Sequence, residues 1–341
     1  MVSQDHTSEF ALSWEADQLV VKAPTVSVVI PTYNRAHVLG RAIESVLSQD
    51  YEDFEALVVD DASSDNTSEM VAQFEDPRLK YLRHETNRGA SAARNTGIEA
   101  SRGRFVAFLD SDDEWLPENL RRRVICLEDS GAGAVFCGFF SHDDESGLLR
   151  QGRDELRSGN VYQAMLAGWC PHGASLFMVR REHILAAGMF DPELWAFEDY
   201  DLWLRLARIC DFGAVDAPLV IKHEGTGLQL TGNSAIRQRA LALFMEKWGP
   251  VMKEELGAGA AETLRRYHLR SIYRVAVLDD LAQHHRIRAW RNFLRYLQTC
   301  RPPYLRGRVN LKQIFGLLLA LTAGQATYRR AREWRQEAVQ R

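Results

Sequence analysis

The sequence predicts an α/β protein built on a mostly parallel sheet flanked by helices, followed by a helical C-terminal extension. Three observations support this prediction. Short apolar runs alternate with helical patterns in the first part of the chain, which is typical of a parallel sheet with crossover helices. Two of these runs end abruptly in acidic residues. The charge then reverses: residues 1–235 carry 21 Lys and Arg against 38 Asp and Glu, whereas residues 236–341 carry 21 against 8.

The first elements are predicted from apolar content and spacing. Residues 25–30 form a continuous apolar run that Pro31 interrupts, and residues 36–49 place apolar side chains on one side of a helix. The run at 54–59 is a second strand, and it ends in Asp60 and Asp61. The remaining predicted elements are a strand over 79–83, a helix over 90–100, strands over 105–109, 134–140 and 176–179, and a helix that begins at 197.

Three acids follow the strand predicted at 105–109. Asp110, Asp112 and Asp113 come where this strand leaves the core, and open α/β sheets bind ligands beyond the carboxyl ends of their strands. Hard carboxylate oxygens two residues apart can converge on one divalent cation that also holds substrate phosphates. The alternative is a solvated acidic turn that caps the helix beginning near Pro117.

Composition is that of an ordinary globular protein, with 46% hydrophobic and 26% charged residues and a net charge of −4. Five scattered cysteines with no Cys-x-x-Cys pair indicate a reducing compartment. We see neither a signal peptide nor an apolar run near the roughly twenty residues that span a bilayer. The sequence therefore predicts a cytoplasmic protein, with peripheral association at the inner face of the membrane as an open alternative.

Five stretches together resemble the inverting glycosyltransferases of family 2, which have the GT-A fold, a Rossmann-like sheet flanked by helices. They occur in the family's order across about residues 24–230, and residues 236–341 are not covered. The stretches are VSVVIPTYNR at 26–35, VVDDASSDNT at 58–67, NRGASAARNTG at 87–97, FLDSDD at 108–113 and EDYDLW at 198–203. The chain is accordingly expected to comprise an N-terminal leader (1–23), a GT-A catalytic domain (24–235) and a basic helical extension (236–341).

The resemblance implies a nucleotide-diphosphate sugar as donor and Mn²⁺ or Mg²⁺ as metal, which neutralises the departing diphosphate. It implies Asp112 as the first metal ligand, Asp110 as a ribose contact that also helps with the ion, and Asp61 as the acid that reads the nucleobase. A His such as His223 is a further metal ligand in some members, although a lone His is more often structural. Further donor-binding residues are expected to be Pro31, Thr32, Tyr33, Arg35, Arg94 and Ser111.

Direct displacement at the anomeric carbon needs a carboxylate that takes the proton from the acceptor hydroxyl. The resemblance implies Asp199 as this base, with Glu198 as the second candidate or as a residue that orients a neighbour. Alternatively, Asp199 and Glu198 could serve only to place negative charge at a helix N-terminus. Trp195 is a candidate for a sugar-ring contact, Trp203 is expected in the core, and His172 could contact either substrate or simply pack.

The basic extension has two interpretations. An apolar segment with basic flanks, at about 311–335, could lie in a membrane interface, which would suit a lipid-linked acceptor. The favoured alternative is a helical subdomain that packs on the catalytic domain or on a second copy of the chain. Nucleic-acid binding is not expected, because no nucleic-acid-binding fold accompanies the arginines.

Three functions are weighed. The first is transfer of a sugar to a hydroxyl of a saccharide, lipid-linked or protein acceptor, in surface polysaccharide or glycolipid biosynthesis. A sugar-phosphate nucleotidyltransferase would normally carry a Gly-rich basic loop after its first strand, where this chain has Pro31–Arg35. A catalytically silent scaffold that binds nucleotide sugars would have no chemical need for Asp110, Asp112 and Asp199.

Overall fold

The computed structural model describes residues 23–300 except 145, 153–154, 172 and 225–233, together with residues 314, 317, 318 and 320–322. The predicted leader and most of the apolar segment predicted at 311–335 therefore lie outside the described residues.

Within the described part of the chain, one mixed sheet of nine strands has the order β3-β2-β1-β4-β8-β6-β9-β5, with β7 paired to β6. The strands β3, β2, β1 and β4 run parallel, as expected, and β9 runs parallel to β6. The others pair antiparallel. The strands are β1 (Val26–Thr32), β2 (Phe54–Asp60), β3 (Leu79–Arg83), β4 (Phe105–Phe108), β5 (Glu114–Trp115), β6 (Ala134–Asp143), β7 (Leu148–Gln151), β8 (Phe177–Arg180) and β9 (Phe212–Glu224).

Helices cover the sheet and continue beyond it. Those between strands are α1 (Ala36–Leu47), α2 (Thr67–Val71), α3 (Ala90–Ala100), α4 (Asn119–Ser130), α5 (Tyr162–Leu166), α6 (Arg181–Ala186) and α7 (Glu198–Ala207). Three longer helices follow the last strand: α8 (Ser234–Leu256), α9 (Ala260–Ala282) and α10 (Arg286–Thr299). The α/β class and the helical C-terminal extension are thus confirmed.

The first strand does not end at Pro31, as the sequence suggested, but continues to Thr32. The Val29 carbonyl accepts a hydrogen bond from the N–H of Leu109, so Val29 faces β4, and so does Pro31 two residues later. The pairing of β1 with β4 ends at Val29. Because β4 no longer pairs there, the missing N–H of Pro31 interrupts no ladder.

The sequence did not predict β5, β7 or β9. The strand β5 has only two residues, and β9 holds Pro218 where its register with β6 shifts. Neither gives the short, clean apolar run by which a strand is recognised. These strands matter because β9 brings Lys222 and His223 beside β5, close to the acids that follow β4.

A single apolar cluster is shared by the sheet, the flanking helices and the start of the extension. Phe244 and Trp248 of α8 and Leu264 of α9 belong to the same buried cluster as the strands. Phe244 lies against Tyr200 of α7, with ring centroids 5.0 Å apart. A second, smaller cluster includes Val277 and Phe293 farther along the extension. The boundary expected at residue 235 stays a prediction.

Among the described residues, no helix is both long enough and apolar enough to cross a bilayer.

Candidate functional site

The acids that follow β4 are held by a serine from a distant loop. The backbone N–H of Asp110 donates to Ser175 Oγ at 3.0 Å, and that hydroxyl donates to Asp113 Oδ2 at 2.6 Å. The Trp115 indole N–H donates to the Ser175 carbonyl at 3.1 Å. The turn that carries Asp110, Ser111 and Asp112 is therefore fixed on both sides before any ligand binds.

Asp112 carries negative charge that its surroundings only partly compensate. Burial and the nearby charge of Asp110 raise the pKa of the Asp112 carboxyl, and the opposing charge of Arg35 does not cancel these effects. Arg35 Nη1 lies 3.2 Å from Asp112 Oδ2. A cation beside Asp112 would relieve this excess, and carboxylate oxygens are ligands that suit Mg²⁺ and Mn²⁺. Asp110 and Asp112 thus fit a hard divalent ion.

Lys222 of β9 lies beside Asp113 and interacts with the charges of the neighbouring carboxylates. Burial alone would lower the pKa of Lys222, but the charges of four carboxylates outweigh burial and raise it; they belong to Asp113, Asp110, Asp199 and Asp112. Lys222 Nζ lies 4.0 Å from Asp113 Oδ2. Despite Lys222, burial and the two other acids raise the pKa of Asp113 to about 7. The acid cluster therefore already contains one ammonium group.

Arg94 of α3 connects the end of β4 to the start of α7. Its guanidinium donates to Asp110 Oδ1 at 2.8 Å and to Glu198 Oε1 at 3.0 Å. The Arg94 side chain is only 7% exposed. Burial by itself would lower the pKa of Arg94, but Asp110 and Glu198 raise it, so the group stays charged. One buried cation therefore brings the predicted metal acids and the predicted base motif together.

The helix α7 begins directly at the predicted base motif. Phe197 precedes it with φ 65°, in the left-handed region, so the chain turns sharply into Glu198 and Asp199. Asp199 Oδ1 accepts the N–H of Tyr200 at 2.7 Å. Burial and the neighbouring Asp199 charge raise the pKa of Glu198, with Arg94 acting in the opposite direction. Glu198 is thus oriented by Arg94, while the negative charge of Asp199 is one of those that raise the pKa of Lys222.

Asp61 organises the loop that precedes α3. Its carboxylate accepts the backbone N–H groups of Arg88 at 2.8 Å and Gly89 at 2.7 Å, and it contacts His84 Nδ1 at 2.7 Å. A carboxylate offers about four acceptor positions, of which these contacts use three. Direct contact between Asp61 and the base stays a prediction.

The loop after β1 lies beside the loop after β2. The Asn34 N–H donates to Ser63 Oγ at 2.8 Å, and Asn34 Oδ1 accepts the N–H of Ser64 at 2.7 Å. Tyr33 is 45% exposed, so its ring is available for stacking. Thr32 is buried, and its hydroxyl has no hydrogen-bond partner among the described residues. Donor contacts by Pro31, Thr32 and Tyr33 therefore stay predictions.

Both ring nitrogens of His223 face carboxylates. Its Nδ1 is 2.7 Å from Asp144 Oδ1, and its Nε2 is 3.0 Å from Glu114 Oε1. Neighbouring strand residues point to opposite faces, so Lys222 and His223 face different sides of β9. Coordination of the donor metal by His223 stays a prediction; it would engage one ring nitrogen, and the other could keep its carboxylate. His172 lies outside the described residues.

The two tryptophans differ as expected in burial. Trp203 is fully buried and stacks on Phe177, with ring centroids 3.8 Å apart, so its assignment to the core is confirmed. Trp195 is 48% exposed. A Cβ placed on Gly89 would lie 3.6 Å from the Trp195 ring, so this indole covers the loop that Asp61 organises. A sugar contact for Trp195 remains open.

The sequence analysis missed Lys222 and Ser175. Lys222 directly precedes the His that drew attention, and Ser175 follows Gly173, whose φ of 96° marks a turn. Neither signal says which face of a strand a side chain occupies or which distant loop lies above it. The sequence therefore predicted the acids, but it did not predict the Lys222 ammonium group and the Ser175 hydroxyl that hold them.

Comparison with known proteins places the chain among sugar-transferring enzymes. The model of "Glycosyl transferase family 2" matches residues 27–187. The Escherichia coli UDP-Glc:alpha-D-GlcNAc-diphosphoundecaprenol beta-1,3-glucosyltransferase WfgD is 32% identical over 198 residues, which cover 57% of this chain and 74% of that protein. A putative colanic acid biosynthesis glycosyl transferase, WcaA of Escherichia coli K12, is 30% identical, with 62% of this chain and 76% of that protein covered.

Solved structures show the same fold at lower sequence identity. The crystal structure of S. aureus TarS 1–349 with UDP-GlcNAc aligns with a TM-score of 0.57 and 17% identity, covering 81% of this chain and 90% of that one. The mannosyltransferase PcManGT from Pyrobaculum calidifontis, in complex with GDP-Man and Mn²⁺, aligns with a TM-score of 0.55 and 22% identity, covering 89% and 87%. The chain adopts the GT-A fold and belongs to glycosyl transferase family 2.

Proposed function

We propose that this protein is a metal-dependent, inverting glycosyltransferase that moves a sugar from a nucleotide-diphosphate donor to a hydroxyl of a saccharide, lipid-linked or protein acceptor. The observation that carries the proposal is the Arg94 bridge, because it joins Asp110 of the acid cluster to Glu198, next to Asp199. Donor phosphates and an acceptor hydroxyl would meet there. Names of relatives such as WcaA favour polysaccharide or glycolipid biosynthesis as the setting.

The donor is held, in this proposal, by the loops after β1 and β2 and by the acid cluster. Tyr33 stacks on the base, Asp61 accepts from it, and Asp110 contacts the ribose. Asp112 binds Mn²⁺ or Mg²⁺ with help from Asp110, and the metal, when bound, neutralises charge on the leaving diphosphate. Lys222 adds a positive charge from the protein itself, so the leaving group meets a site that is already partly compensated.

Asp199 acts as the general base. It takes the proton of the acceptor hydroxyl as that oxygen attacks the anomeric carbon from the face opposite the diphosphate. Glu198 is the second candidate, but its contact with Arg94 at 3.0 Å favours an orienting role. In-line displacement inverts the anomeric configuration, so an α-linked donor gives a β-linked product.

Donor binding can be tested by thermal shift with UDP-Glc, UDP-GlcNAc and GDP-Man, each with and without Mn²⁺. A donor at about 100 times its dissociation constant should stabilise the native protein by roughly 2.7 kcal/mol. The shift should need Mn²⁺ and disappear in Asp112→Asn. The matched control, Asp129→Asn, alters an exposed acid of α4 and should keep the shift. Equal shifts in both variants would contradict the assignment of Asp112.

The chemical step can be followed without knowing the acceptor, because water can replace the hydroxyl. Asp199→Asn should slow donor hydrolysis by about 10²–10⁴-fold while donor binding persists. The configuration of the released sugar, read by NMR before it mutarotates, should be β when the donor is α. Release of the α-anomer would refute inversion, and unchanged hydrolysis in Asp199→Asn would remove Asp199 as the base.

A catalytically silent donor-binding scaffold remains the second candidate. It predicts the same thermal shifts but no hydrolysis or transfer at any Mn²⁺ concentration. The two functions therefore separate in the hydrolysis assay alone.

A further inference from the structure

The helix α10 turns one face to solvent and packs on α9 through the other. Its buried side carries Ala289, Asn292, Phe293, Tyr296 and Thr299. The outward face of α10 consists of eight exposed residues: Arg286, Ile287, Arg288, Trp290, Arg291, Leu294, Arg295 and Gln298. Ile287 is 88% exposed, Leu294 57% and Trp290 39%. Trp290 and Leu294 follow Ile287 by three and seven residues, so the three side chains form one apolar stripe along the helix.

The same helix is strongly basic. It contains four arginines and no acid. The charge of Arg288 is compensated, because its Nε lies 3.2 Å from Asp280 Oδ1. Arg291 and Arg295, in contrast, have no ion pair within the described part of the chain. They follow Ile287 by four and eight residues, so both guanidinium groups border the apolar stripe.

We propose that the outward face of α10 docks on an anionic lipid bilayer. Ile287 and Leu294 would enter the boundary between headgroups and acyl chains, while the arginine stems lie along it and their guanidinium groups stay with the lipid phosphates. Trp290 suits the same depth, because an indole combines an apolar body with one N–H. The proposal concerns α10, and not the segment at 311–335 for which the sequence suggested membrane contact.

A protein partner fits this surface less well than a bilayer does. A stable protein interface takes about 20–30 residues from each side, whereas the outward face of α10 offers eight exposed residues, half of them arginines. Arginines that flank a narrow apolar stripe on a single helix match a layer of phosphates above a layer of acyl chains. A bilayer has no minimum interface size, because each apolar side chain that enters it contributes its own transfer free energy.

The charge distribution of the chain would orient it on such a bilayer. Residues 1–235 carry 21 Lys and Arg against 38 Asp and Glu, and residues 236–341 carry 21 against 8. An anionic surface attracts the second part and repels the first. Because α10 belongs to the attracted part, electrostatic approach and apolar insertion use the same face. Docking would favour a lipid-linked acceptor; that consequence rests on the proposed function, whereas the docking itself does not.

The test is flotation of the full chain with vesicles of phosphatidylcholine alone and of phosphatidylcholine with phosphatidylglycerol. The native chain should bind the anionic vesicles only, and more weakly at high salt. Arg291→Gln with Arg295→Gln should weaken binding by about 30-fold, or about 5-fold for each arginine. Arg121→Gln with Arg122→Gln is the matched control: it removes the same charge from α4, where both arginines are exposed, and should bind as the native chain does.

The apolar stripe is tested separately. Ile287→Ser with Leu294→Ser should weaken binding by about 10–100-fold. Its matched control is Ile125→Ser with Ile209→Ser, which changes side chains that are 49% and 48% exposed elsewhere and should leave binding unchanged. Vesicles with brominated acyl chains should quench part of the tryptophan fluorescence of the native chain. Trp290→Phe should lose that part, because Trp290 is the indole in the stripe.

Several results would overturn the proposal. They are binding to neither kind of vesicle, equal binding to both, native binding by the Arg291 and Arg295 variant, or an equal loss in the α4 control. Sedimentation velocity tests the alternative of a second copy: if Ile287→Ser with Leu294→Ser dissociates a native oligomer, the face joins copies of the chain and lipid docking is refuted. Circular dichroism establishes that each variant is folded. Donor hydrolysis in solution should be equal in all variants, so its absence from the native chain would contradict the proposed function and leave docking intact.

Discussion

Replacing Arg94 by Met should destabilise the native state more than any single surface change. The substitution keeps an unbranched side chain of similar length but removes two charge-assisted hydrogen bonds, to Asp110 at 2.8 Å and to Glu198 at 3.0 Å. It also leaves two carboxylates without their shared counter-charge. Removing one partner of a buried ion pair costs about 3–5 kcal/mol, which is a large part of the roughly 5–15 kcal/mol of a typical domain.

Thermal unfolding followed by circular dichroism measures this loss. At about 2–4 °C per kcal/mol, Arg94→Met should lower Tm by roughly 6–20 °C. Arg121→Met is the matched control, because Arg121 pairs with Asp50 at 2.9 Å with both side chains exposed. Such a pair contributes about 0–1 kcal/mol. Adding Glu198→Gln to Arg94→Met should restore part of the loss, since a neutral amide needs no counter-charge.

The destabilisation should depend on pH with a definite sign. Burial acts to raise the pKa of Asp110, but Arg94 and Lys222 lower it overall. A lowered pKa means that the stabilisation is present above the usual value near 3.8 and is lost as pH falls through the folded-state value. The difference between native protein and Arg94→Met should therefore shrink in acid. A difference below 1 kcal/mol at neutral pH, equal to that of Arg121→Met, would refute the bridge.

Three other changes test the fold. Glu55→Gln should lose stability at neutral pH and approach the stability of the native protein between about pH 4.5 and 2. Burial acts to raise the pKa of Glu55, but hydrogen bonds from Lys80 and other donors lower it overall to about 2. Urea midpoints across pH measure this, and a stability difference between the two proteins that does not change with pH would contradict it. Gly97→Ala should lower the free energy of unfolding by about 1–3 kcal/mol, because the new Cβ would lie 2.3 Å from a Val29 methyl carbon. Adding Val29→Ala should restore stability in the same urea assay. Arg123→Met should raise Tm. The Arg123 guanidinium is fully buried, two of its nitrogens have no hydrogen-bond partner among the described residues, and burial lowers its pKa to about 10. A lower Tm would mean that the cation contributes net stability.

Three strands of the parallel half, β1, β2 and β4, were predictable because they are buried on both faces. Such strands appear as mostly apolar runs, and residues 26–30, 54–59 and 105–108 do so, with Ser27 and Glu55 as the polar exceptions. The antiparallel additions were less accessible. The two residues of β5 have no pattern of their own, and β9 is a strand because β6 and β5 pair with it. Pairing over long sequence separations leaves little local trace.

The residues of the candidate site also divide into those that the sequence predicted and those that it did not. The acids at 110, 112, 198 and 199 were recognisable from motifs within single loops or helix starts. The groups that hold them come from elsewhere: Ser175 from a turn 65 residues after Asp110, and Lys222 from β9. For His223, nothing in the sequence indicated that its two ring nitrogens face Asp144 and Glu114.

Asp201 reveals how far the smallest independently stable catalytic unit must extend. It lies in the first turn of α7, two residues after Asp199, and is fully buried. Its carboxylate accepts hydrogen bonds from Arg205 and from the indole of Trp248, and it pairs with Lys247 at 2.8 Å. Two of these three partners belong to α8, beyond the last matched motif. Chimeras that exchange C-terminal segments between related enzymes should therefore carry α8 with the catalytic portion and join the foreign segment after it.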